Sequence, residues 1–559
     1  MTEHRWLKCY DPGVPHSLEY PSLDIHALVR RKADEVRERP ALKFMGLTLS
    51  YGQLFDRVDR MAAALAQRGI GQGDRVVLLM PNCPQFVISF YALMRLGATA
   101  VLANPLNVER ELIFKFQDSG AKALIVLDLL SQRVNNIKKQ VPLQLIVYTS
   151  LADFLPFPLN LLYPLKRRLD KAMPPVVIER DAKTVMLKDL LRQGGQPPQP
   201  AIDPQSMAVL IYSGGTTGVS KGIMLSHRAL VANASQVCAW GSLGGGDSLL
   251  AVLPLFHGFG MSVCMNAPLS HGGTILLLPR FNASEVCRTI NKEHPTLFAG
   301  VPTMFIAIKE LPEIDSYDLK SLRGIFVGAA PLPLAVMQEF SQRTGAALIE
   351  GYGLTEAVTA VACNPFKGQR KPGTIGIPFP DVEWKIVDLA DGVTEMPIGQ
   401  AGEIVLRGPD LMLGYLNLPD KTAETLKDGW LYTGDIGVMD EEGYVTLVDR
   451  KKDLVIIGGF NVFPSEVDEV LHQHPQVAEA VAVGLPHPRK GEYLKAYVVP
   501  KAGQHIDPLE VIAFCHKNLT PYMVPREVEV RDELPKSMIG KVLRRSLREE
   551  EEAKWKAKG

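Results

Sequence analysis

The sequence predicts an α/β protein with a large N-terminal domain, made of two α/β layered subdomains plus a β-rich subdomain, and a small α+β C-terminal domain. Three observations lead to this prediction. The chain has 559 residues, which is too long for one ordinary hydrophobic core. Helical and strand patterns alternate from about residue 50 to about residue 350. The pattern then changes twice, near residue 372 and near residue 449.

The N-terminal portion alternates between segments with a helical hydrophobic period and short continuous apolar runs. This alternation is typical of a mainly parallel sheet that is covered by helices. The expected helices are 51–69, 84–96 and 109–118. The expected strands are 75–80, 98–102, 123–127, 207–213, 274–278 and 324–328. Because the rhythm returns after residue 207, we expect two related α/β layers.

The C-terminal third changes from alternation to closely spaced strands and turns. Segments 384–392 and 402–408 carry turn residues at short intervals, as an antiparallel region does. The charged cluster DRKKD at 449–453 is followed by an apolar strand and by an expected helix at 464–472. We therefore place a domain boundary there, with an N-terminal domain over 1–449 and a C-terminal domain over 450–559.

Charge and cysteine content exclude several classes of protein. Acidic and basic residues number 61 each, so no net field attracts nucleic acid, and any phosphate recognition must be local. The seven cysteines form no CxxC pair, which argues against a disulfide framework or a zinc site. The N-terminus lacks the features of a signal peptide, and no apolar run is long enough to span a bilayer. We expect a cytoplasmic protein.

Segment 151–170, LADFLPFPLNLLYPLKRRLD, departs from the α/β pattern. It is apolar, punctuated by prolines, and ends in the basic residues Lys166, Arg167 and Arg168. Such a segment is either an insertion packed on the protein surface or a peripheral contact with the inner face of the membrane, since apolar residues beside basic ones suit an anionic bilayer surface. The sequence leaves both interpretations open.

The main chemical signal is LIYSGGTTGVSKG at 210–222, directly after an expected strand and before a run with helical character. Glycines allow close backbone approach, while hydroxyls and a lysine supply donors and positive charge, a combination that suits a polyphosphate. A Walker A loop requires Gly before the Lys and Ser or Thr after it, but Ser220 precedes Lys221 and Gly222 follows. The G-x-G-x-x-G dinucleotide motif is also absent.

This loop resembles the signature of the adenylate-forming superfamily of acyl-CoA synthetases, luciferases and adenylation domains, and the resemblance continues over nearly the whole chain. Gly214 and Ser220 stand where the usual pattern has Ser and Pro, a form similar to the bacterial long-chain fatty-acid–CoA ligase branch. The resemblance implies ATP-dependent activation of a fatty acid as acyl-AMP, then thioester formation with coenzyme A, with Mg²⁺ as cofactor. It also implies that the C-terminal domain is mobile.

The resemblance assigns nucleotide-binding roles to several motifs. The loop contributes to ATP and AMP binding through Ser213, Gly214, Gly215, Thr216, Thr217, Gly218 and Lys221. The segment GAAPL contributes Gly328 and Ala329, and GYGLTEA contributes Gly351, Tyr352 and Gly353, with Tyr352 against the adenine. In WLYTGDIG, Asp435 is expected to accept hydrogen bonds from the ribose hydroxyls, with Arg450 as a second contact.

The resemblance also assigns the reacting groups. Thr355 is expected at a phosphate, and Glu356 at Mg²⁺, which prefers oxygen ligands. His257 in LPLFHGFG is expected beside the substrate carboxylate. Lys541 in ELPKSMIGKVLRR is the expected catalytic lysine, bridging two anions, whereas Arg544 and Arg545 fit a basic tail.

The same resemblance places a hinge at Lys452 and a tunnel for the coenzyme A arm at Gly458 and Gly459. Alternatives remain open at this stage. They are a ligase for medium-chain or aryl acids, an acyl-AMP ligase that loads a carrier protein, and a nucleotide sensor without chemistry. Acyl length, pathway and oligomeric state are not readable from the sequence, and a homodimer is one of the open states.

Overall fold

The computed structural model describes residues 4–170, 173–213, 220–457, 460–487, 491–536 and 542–556. The chain divides into two compact units. The first unit comprises residues 1–372, 376–383 and 407–431, and the second comprises 373–375, 384–406 and 432–559. The predicted boundary at 449/450 lies within the second unit and stays a prediction.

The first unit contains two sheets of mainly parallel strands. One sheet has nine strands, in the spatial order Ile377–Pro378, Ala362–Cys363, Ala347–Tyr352, Gly324–Val327, Leu297–Gly300, Ser248–Ala251, Thr274–Leu277, Pro40–Phe44 and Leu47–Ser50. The other sheet has eight strands, in the order Gly414–Tyr415, Lys221–Ser226, Met207–Ser213, Thr99–Leu102, Arg75–Leu79, Ala123–Leu127, Leu145–Thr149 and Thr184–Met186.

Helices cover these sheets, and the apolar faces of most of them contribute to the core. The α-helices of the first unit are Ile25–Glu35, Tyr51–Ala66, Pro84–Arg95, Glu109–Ser119, Ser131–Ile137, Leu159–Leu169, Leu187–Gln193, His227–Gly241, Ala267–Ser270, Ala283–Glu293, Pro302–Lys309, Leu334–Thr344 and Pro419–Thr425. Short 3₁₀ segments lie at Arg5–Cys9, Asp128–Leu130, Leu151–Phe154, Ile314–Ser316 and Thr355–Ala357, and a π-helix lies at Gly260–Asn266. The expected α/β alternation is confirmed.

Local sequence explains where these elements begin. Ser50 accepts a hydrogen bond from the backbone of Gln53, and the Gln53 side chain returns one to Ser50, which closes a capping box at the start of Tyr51–Ala66. The strand Ala123–Leu127 is buried along its whole length, as expected for a parallel strand covered on both faces.

The second unit contains the β-rich region and the C-terminal α+β region. Its first sheet includes the strands Glu383–Val387, Ala401–Arg407, Trp430–Met439 and Val445–Arg450. Its second sheet contains Phe460–Val462, Val455–Ile457, Gly491–Pro500, Val477–His487 and Glu527–Val530, with helices Pro464–His472, Pro508–Asn518 and Arg544–Lys556. In the first unit, Leu426–Lys427 pairs with residues 430–431 as a short hairpin. The predicted strands near 384 and 402 and the helix at 464–472 are confirmed.

One further finding concerns membrane crossing. Among the residues that the structure describes, none of the helices combines the length and the hydrophobicity that crossing a bilayer requires.

Asn82 links the two sheets of the first unit. Its amide group donates to the carbonyl oxygens of Ala251 (3.1 Å) and Leu253 (2.9 Å), and its carbonyl oxygen accepts from the Leu255 amide (2.8 Å). Asn82 follows one sheet's strand, whereas Ala251 ends a strand of the other. Because Asn82 is buried, these bonds fix the segment that carries His257.

We predict that Asn82→Ala lowers the free energy of unfolding by about 3 kcal/mol or more, because three buried backbone groups lose their partner. Urea unfolding followed by tryptophan fluorescence measures the change. Asn136→Ala is the matched control, because Asn136 is exposed and donates one hydrogen bond, to Glu109. Equal unfolding midpoints for the two variants would contradict this role of Asn82.

Candidate active site

The glycine-rich loop joins two antiparallel strands. Met207–Ser213 and Lys221–Ser226 pair with Ser213 opposite Lys221 and Tyr212 opposite Gly222. Gly214, Gly215, Thr216, Thr217 and Gly218 lie outside the described residues, and so does the side chain of Ser213. The expectation that the loop leads directly into a helix is wrong, because the helix His227–Gly241 begins only after a six-residue strand, capped by Ser226.

The sequence of this strand explains the difference. Ile223 and Leu225 are fully buried, and the strand pairs on both sides, with Met207–Ser213 and with Gly414–Tyr415. The apolar residues of this segment are therefore buried within the sheet, and its backbone is paired on both edges, so the segment forms a strand and not a helix. As a consequence, no helix N-terminus follows the loop directly, and Lys221 stands at the start of a strand.

Tyr415 brings Lys221 and Glu356 together. The Lys221 ammonium nitrogen lies 4.8 Å from the centre of the Tyr415 ring, and the Tyr415 hydroxyl donates to Glu356 Oε1 at 2.9 Å. Burial, reinforced by the charge of Glu356, raises the pKa of Tyr415, so the phenol stays protonated and remains a donor. The backbone amide of Met412 also donates to the Glu356 carbonyl oxygen at 2.7 Å.

The GYGLTEA segment begins in a strand and ends in a strained turn. Gly351 and Tyr352 end the strand Ala347–Tyr352, and Thr355–Ala357 forms a single 3₁₀ turn that contains Glu356. The next residue, Val358, has φ of 58°, a left-handed conformation that is unfavourable for a β-branched side chain. Such strain persists only where the surroundings enforce it, and it is common at functional sites.

Three of the predicted motifs pack against one another through glycines. A Cβ added to Gly328 would lie 2.8 Å from the Phe259 ring, which brings GAAPL against LPLFHGFG. A Cβ added to Gly258 would lie 2.5 Å from the Val358 carbonyl oxygen, and one on Gly353 would collide with the backbone of Thr359. The structure thus brings residues 257–260, 328–329 and 351–358 into one cluster.

The GAAPL segment is held at this cluster by strain and by a buried carboxylate. Ala329 has φ of 73°, a second non-glycine residue in the left-handed region. The amide of Leu332 donates to Glu350 Oε1 at 3.1 Å, and Glu350 is buried in the neighbouring strand. The loop after the strand Gly324–Val327 therefore has a fixed course.

His257 lies at the entrance to the π-helix Gly260–Asn266. Its Nδ1 accepts a hydrogen bond from the Phe259 amide at 3.2 Å, so the Nε2 position carries the proton in the neutral ring. Burial lowers the pKa of His257, which favours the neutral imidazole. A neutral donor of this kind can orient a carboxylate oxygen without a full charge.

The candidate metal ligand is a single carboxylate. Within the described parts of the chain, no group of three or more His, Cys, Asp or Glu side chains could hold a metal ion. Glu356 has one oxygen engaged by Tyr415. One protein carboxylate completed by substrate phosphates is the arrangement that Mg²⁺ prefers, so the donor set here fits that ion.

In the second unit, Asp435 and Arg450 form a cross-strand pair. They are register partners on antiparallel strands, and Arg450 Nε lies 2.9 Å from Asp435 Oδ1. Asp435 is 5% exposed, whereas Arg450 is partly exposed. Beside them, Lys451 pairs with Glu403 at 2.8 Å. The two predicted ribose contacts therefore lie side by side.

The structure describes the predicted hinge residue, Lys452, but not the predicted catalytic lysine, Lys541. Lys452 lies in an exposed turn between the strands Val445–Arg450 and Val455–Ile457. Gly458, Gly459 and Lys541 lie outside the described residues. Next to Lys541, Val542 forms a β-bridge with Lys536.

Arg544 is not a solvated tail residue, contrary to expectation. Its guanidinium pairs with Asp468 and donates to the Ala482 carbonyl oxygen at 3.2 Å. Arg545 does pair at the surface, with Glu549 one helical turn later. The partly buried Arg544–Asp468 pair thus fixes the chain three residues after Lys541, at the start of the last helix.

Sequence reasoning missed Asn82, Tyr415 and the Arg544–Asp468 pair. Tyr415 stands in LMLGYL, which reads as an ordinary apolar turn, and nothing in that segment marks its hydroxyl as a partner of Glu356. Asn82 precedes an apolar helix and reads as a turn residue.

Comparison with known proteins identifies the family of the chain. The family model of the AMP-binding enzyme matches residues 29–416, and that of the AMP-binding enzyme C-terminal domain matches residues 466–541. The long-chain-fatty-acid–CoA ligase of Bacillus subtilis is 40% identical over 99% of both chains. The Escherichia coli O6:H1 protein of the same name is 38% identical over 98% of both.

The fold comparison gives the same class. The crystal structure of ATP-bound MatB from Rhodopseudomonas palustris matches with a TM-score of 0.82 and 29% identity, covering 94% of this chain and 99% of that one. The chain belongs to the AMP-binding enzyme family. The predicted family and fold class are confirmed.

Proposed function

We propose that this protein is an ATP-dependent acid–thiol ligase that activates a long-chain fatty acid as acyl-AMP and transfers the acyl group to coenzyme A, releasing AMP and pyrophosphate. The observation that carries this proposal is the end-to-end similarity to the Bacillus subtilis long-chain-fatty-acid–CoA ligase, since both the large and the C-terminal parts have counterparts there. ATP and coenzyme A are co-substrates, and Mg²⁺ is the cofactor.

The proposed phosphate site is built around Lys221 and Glu356. The loop 213–218 and Lys221 bind the phosphates through backbone amides, hydroxyls and one positive charge. Thr355 donates to a phosphate oxygen. Glu356 holds Mg²⁺, which when bound neutralises charge on the departing pyrophosphate. The supporting observation is that Tyr415 contacts both Lys221 and Glu356.

The proposed adenosine contacts come from the motifs that the sequence resemblance names. Gly328, Ala329, Gly351, Tyr352 and Gly353 border the adenine, with the Tyr352 ring against the base. Asp435 accepts hydrogen bonds from the ribose hydroxyls, and Arg450 orients that carboxylate from the neighbouring strand.

The first step forms a bond between a carboxylate oxygen of the acid and the α-phosphorus of ATP, and the bond to pyrophosphate breaks. His257 orients the attacking carboxylate, and Lys541 bridges it to the α-phosphate, because an ammonium lowers the repulsion between two anions. In the second step the thiol sulfur of coenzyme A attacks the acyl carbon, loses its proton, and AMP leaves.

The two steps need different groups at one place, which a moving domain can supply. We propose that residues 450–559 rotate about Lys452 between the steps, so that Gly458 and Gly459 face the coenzyme A arm in the second. The exposed turn around Lys452, between two strands, supports this position for the hinge.

The proposed location is the cytoplasm. All seven cysteines are unbridged thiols, which is the usual state in a reducing compartment.

The direct test measures AMP formation with saturated acids from acetate to long-chain acids and with aryl acids, with and without coenzyme A. We expect the highest kcat/KM with long-chain acids and turnover that depends on coenzyme A. If kcat/KM were highest with medium-chain or aryl acids, the protein would be a ligase for those acids and not for long-chain ones. Adenylate release without thioester formation would favour loading of a carrier protein, and ATP binding without pyrophosphate release would reduce the protein to a sensor.

The half-reactions should respond in opposite ways to changes at Lys541 and Lys452. Lys541→Ala is expected to lower adenylation by at least about a hundredfold while thioester formation from supplied acyl-AMP stays within about threefold of wild type. Lys452→Pro fixes φ at the hinge, so it should spare adenylation and impair thioester formation.

Pyrophosphate release measures the first half-reaction, and acyl-CoA formation from acyl-AMP measures the second. Each variant is the control for the other, because a general loss of folding lowers both half-reactions. Equal losses in the Lys541 variant would refute its assignment, and normal overall turnover of the Lys452 variant would refute the hinge.

Tyr415→Phe should lower the rate of adenylation by about tenfold and raise the Mg²⁺ concentration needed for half-maximal rate. The variant removes the hydroxyl that holds Glu356 but keeps the aromatic face under Lys221, and a hydrogen bond to a charged group contributes about 1.5–3 kcal/mol. Pyrophosphate release at varied Mg²⁺ measures both effects.

Tyr20→Phe is the matched control for this variant. The Tyr20 hydroxyl also donates to a carboxylate, Asp381 Oδ2 at 2.7 Å, but both residues stand outside the candidate site. An unchanged Mg²⁺ dependence in the Tyr415 variant, or the same change in both variants, would show that Tyr415 does not position the metal ligand.

A further inference from the structure

The helix Leu159–Leu169 places its leucines toward solvent. The exposed fractions are 66% for Leu161, 55% for Leu165 and 75% for Leu169, and Phe157, just before the helix, is 78% exposed. None of the residues of this helix is buried. An exposed cluster of this kind marks an interaction surface, since burial of apolar area against a partner lowers its free energy in water.

The opposite face of the helix is polar and lies toward the protein. Asn160, Tyr163 and Arg167, spaced by three and four residues, are the partly buried positions. Arg167 pairs with the buried carboxylate of Asp128 at 2.8 Å. A surface helix usually has its apolar face inward and its polar face outward, and this helix has the reverse arrangement. The ion pair between Arg167 and Asp128 keeps the helix in this orientation.

The exposed apolar surface is bordered by positive charge. Lys166 and Arg168 are exposed in the last turn, beside Leu165 and Leu169, and the helix contains no acidic residue. Leucines with adjacent basic side chains are the features of a helix that lies in the interface of an anionic bilayer. A second copy of the chain would present the same positive charges and no complement to them.

We propose that residues 157–169 dock this protein onto anionic phospholipid membranes, with Phe157 and the outward leucines in the acyl boundary and Lys166 and Arg168 at the headgroup phosphates. Arg167 keeps its bond to Asp128 and fixes the helix to the body of the first unit. Attachment is peripheral, because a helix of eleven residues is too short to span the bilayer and lies in its interface.

The test measures co-sedimentation of the full-length protein with vesicles of phosphatidylcholine, with and without phosphatidylglycerol. The apolar variant is Leu161→Glu/Leu165→Glu/Leu169→Glu, and the charge variant is Lys166→Gln/Arg168→Gln. The matched control is Val393→Glu/Leu509→Glu, since these two side chains are 71% and 72% exposed outside the proposed surface. Thermal midpoints establish that every variant is folded.

We expect wild type to bind the vesicles that contain phosphatidylglycerol, and the control to bind equally well. The apolar variant should lose affinity by about tenfold or more, because three leucines no longer enter the acyl boundary. The charge variant should lose about tenfold on anionic vesicles, where each basic side chain contributes to attraction. Raised salt should weaken binding of wild type.

Three results would overturn the proposal. They are absence of wild-type binding to anionic vesicles, an apolar variant that binds like wild type, and a wild-type dimer that this variant converts to monomer without a change in vesicle binding. The last result would assign the surface to a second copy. Vesicle binding is measured without substrates, so its outcome is independent of the ligase assay, and either proposal can fail alone.

Discussion

The hydrogen bond from Tyr415 to Glu356 is the contact on which the geometry of the proposed phosphate site depends. Tyr415 belongs to a two-residue strand that pairs with Lys221–Ser226, the strand that follows the glycine-rich loop. The same stretch donates from the Met412 amide to the Glu356 carbonyl oxygen. A short piece of chain, far from both motifs in sequence, thus connects the end of the loop to the carboxylate.

Close packing explains why the other motifs contain so many small residues. Gly258, Gly328 and Gly353 each sit where a side chain would strike a neighbouring segment. The same crowding maintains left-handed conformations at Ala329 and Val358, which cost of order 1–3 kcal/mol each. Asn82 and Glu350 fix the flanks of these loops by buried hydrogen bonds. Positioning of the site therefore comes from buried polar contacts as much as from apolar packing.

Sequence periodicity predicted most of the fold, because buried parallel strands have a pattern that depends on few neighbours. The strands at 123–127 and 207–213 agree with their predicted bounds, and the helix at 51 ends three residues earlier than expected. The strand Lys221–Ser226 was misread as helix because its strand character depends on pairing at both edges. It pairs with Met207–Ser213 on one side and, on the other, with Gly414–Tyr415, more than 180 residues further along. Motif resemblance named Glu356 and Asp435, but Tyr415 and Arg544 act through tertiary contacts that no local pattern encodes.

The segment 151–170 is another case in which the local sequence does not determine the structure. Its composition fits either packing on the surface or contact with a membrane, and the choice depends on which face points outward. The pairing of Arg167 with Asp128 turns the polar face inward and leaves the leucines in water, which supports the proposed membrane contact. Exposing several large apolar side chains costs stability unless something covers them. Long-chain acids partition into membranes, because burial of each methylene group lowers the free energy. A surface of this kind would therefore give the proposed activity access to acids held there.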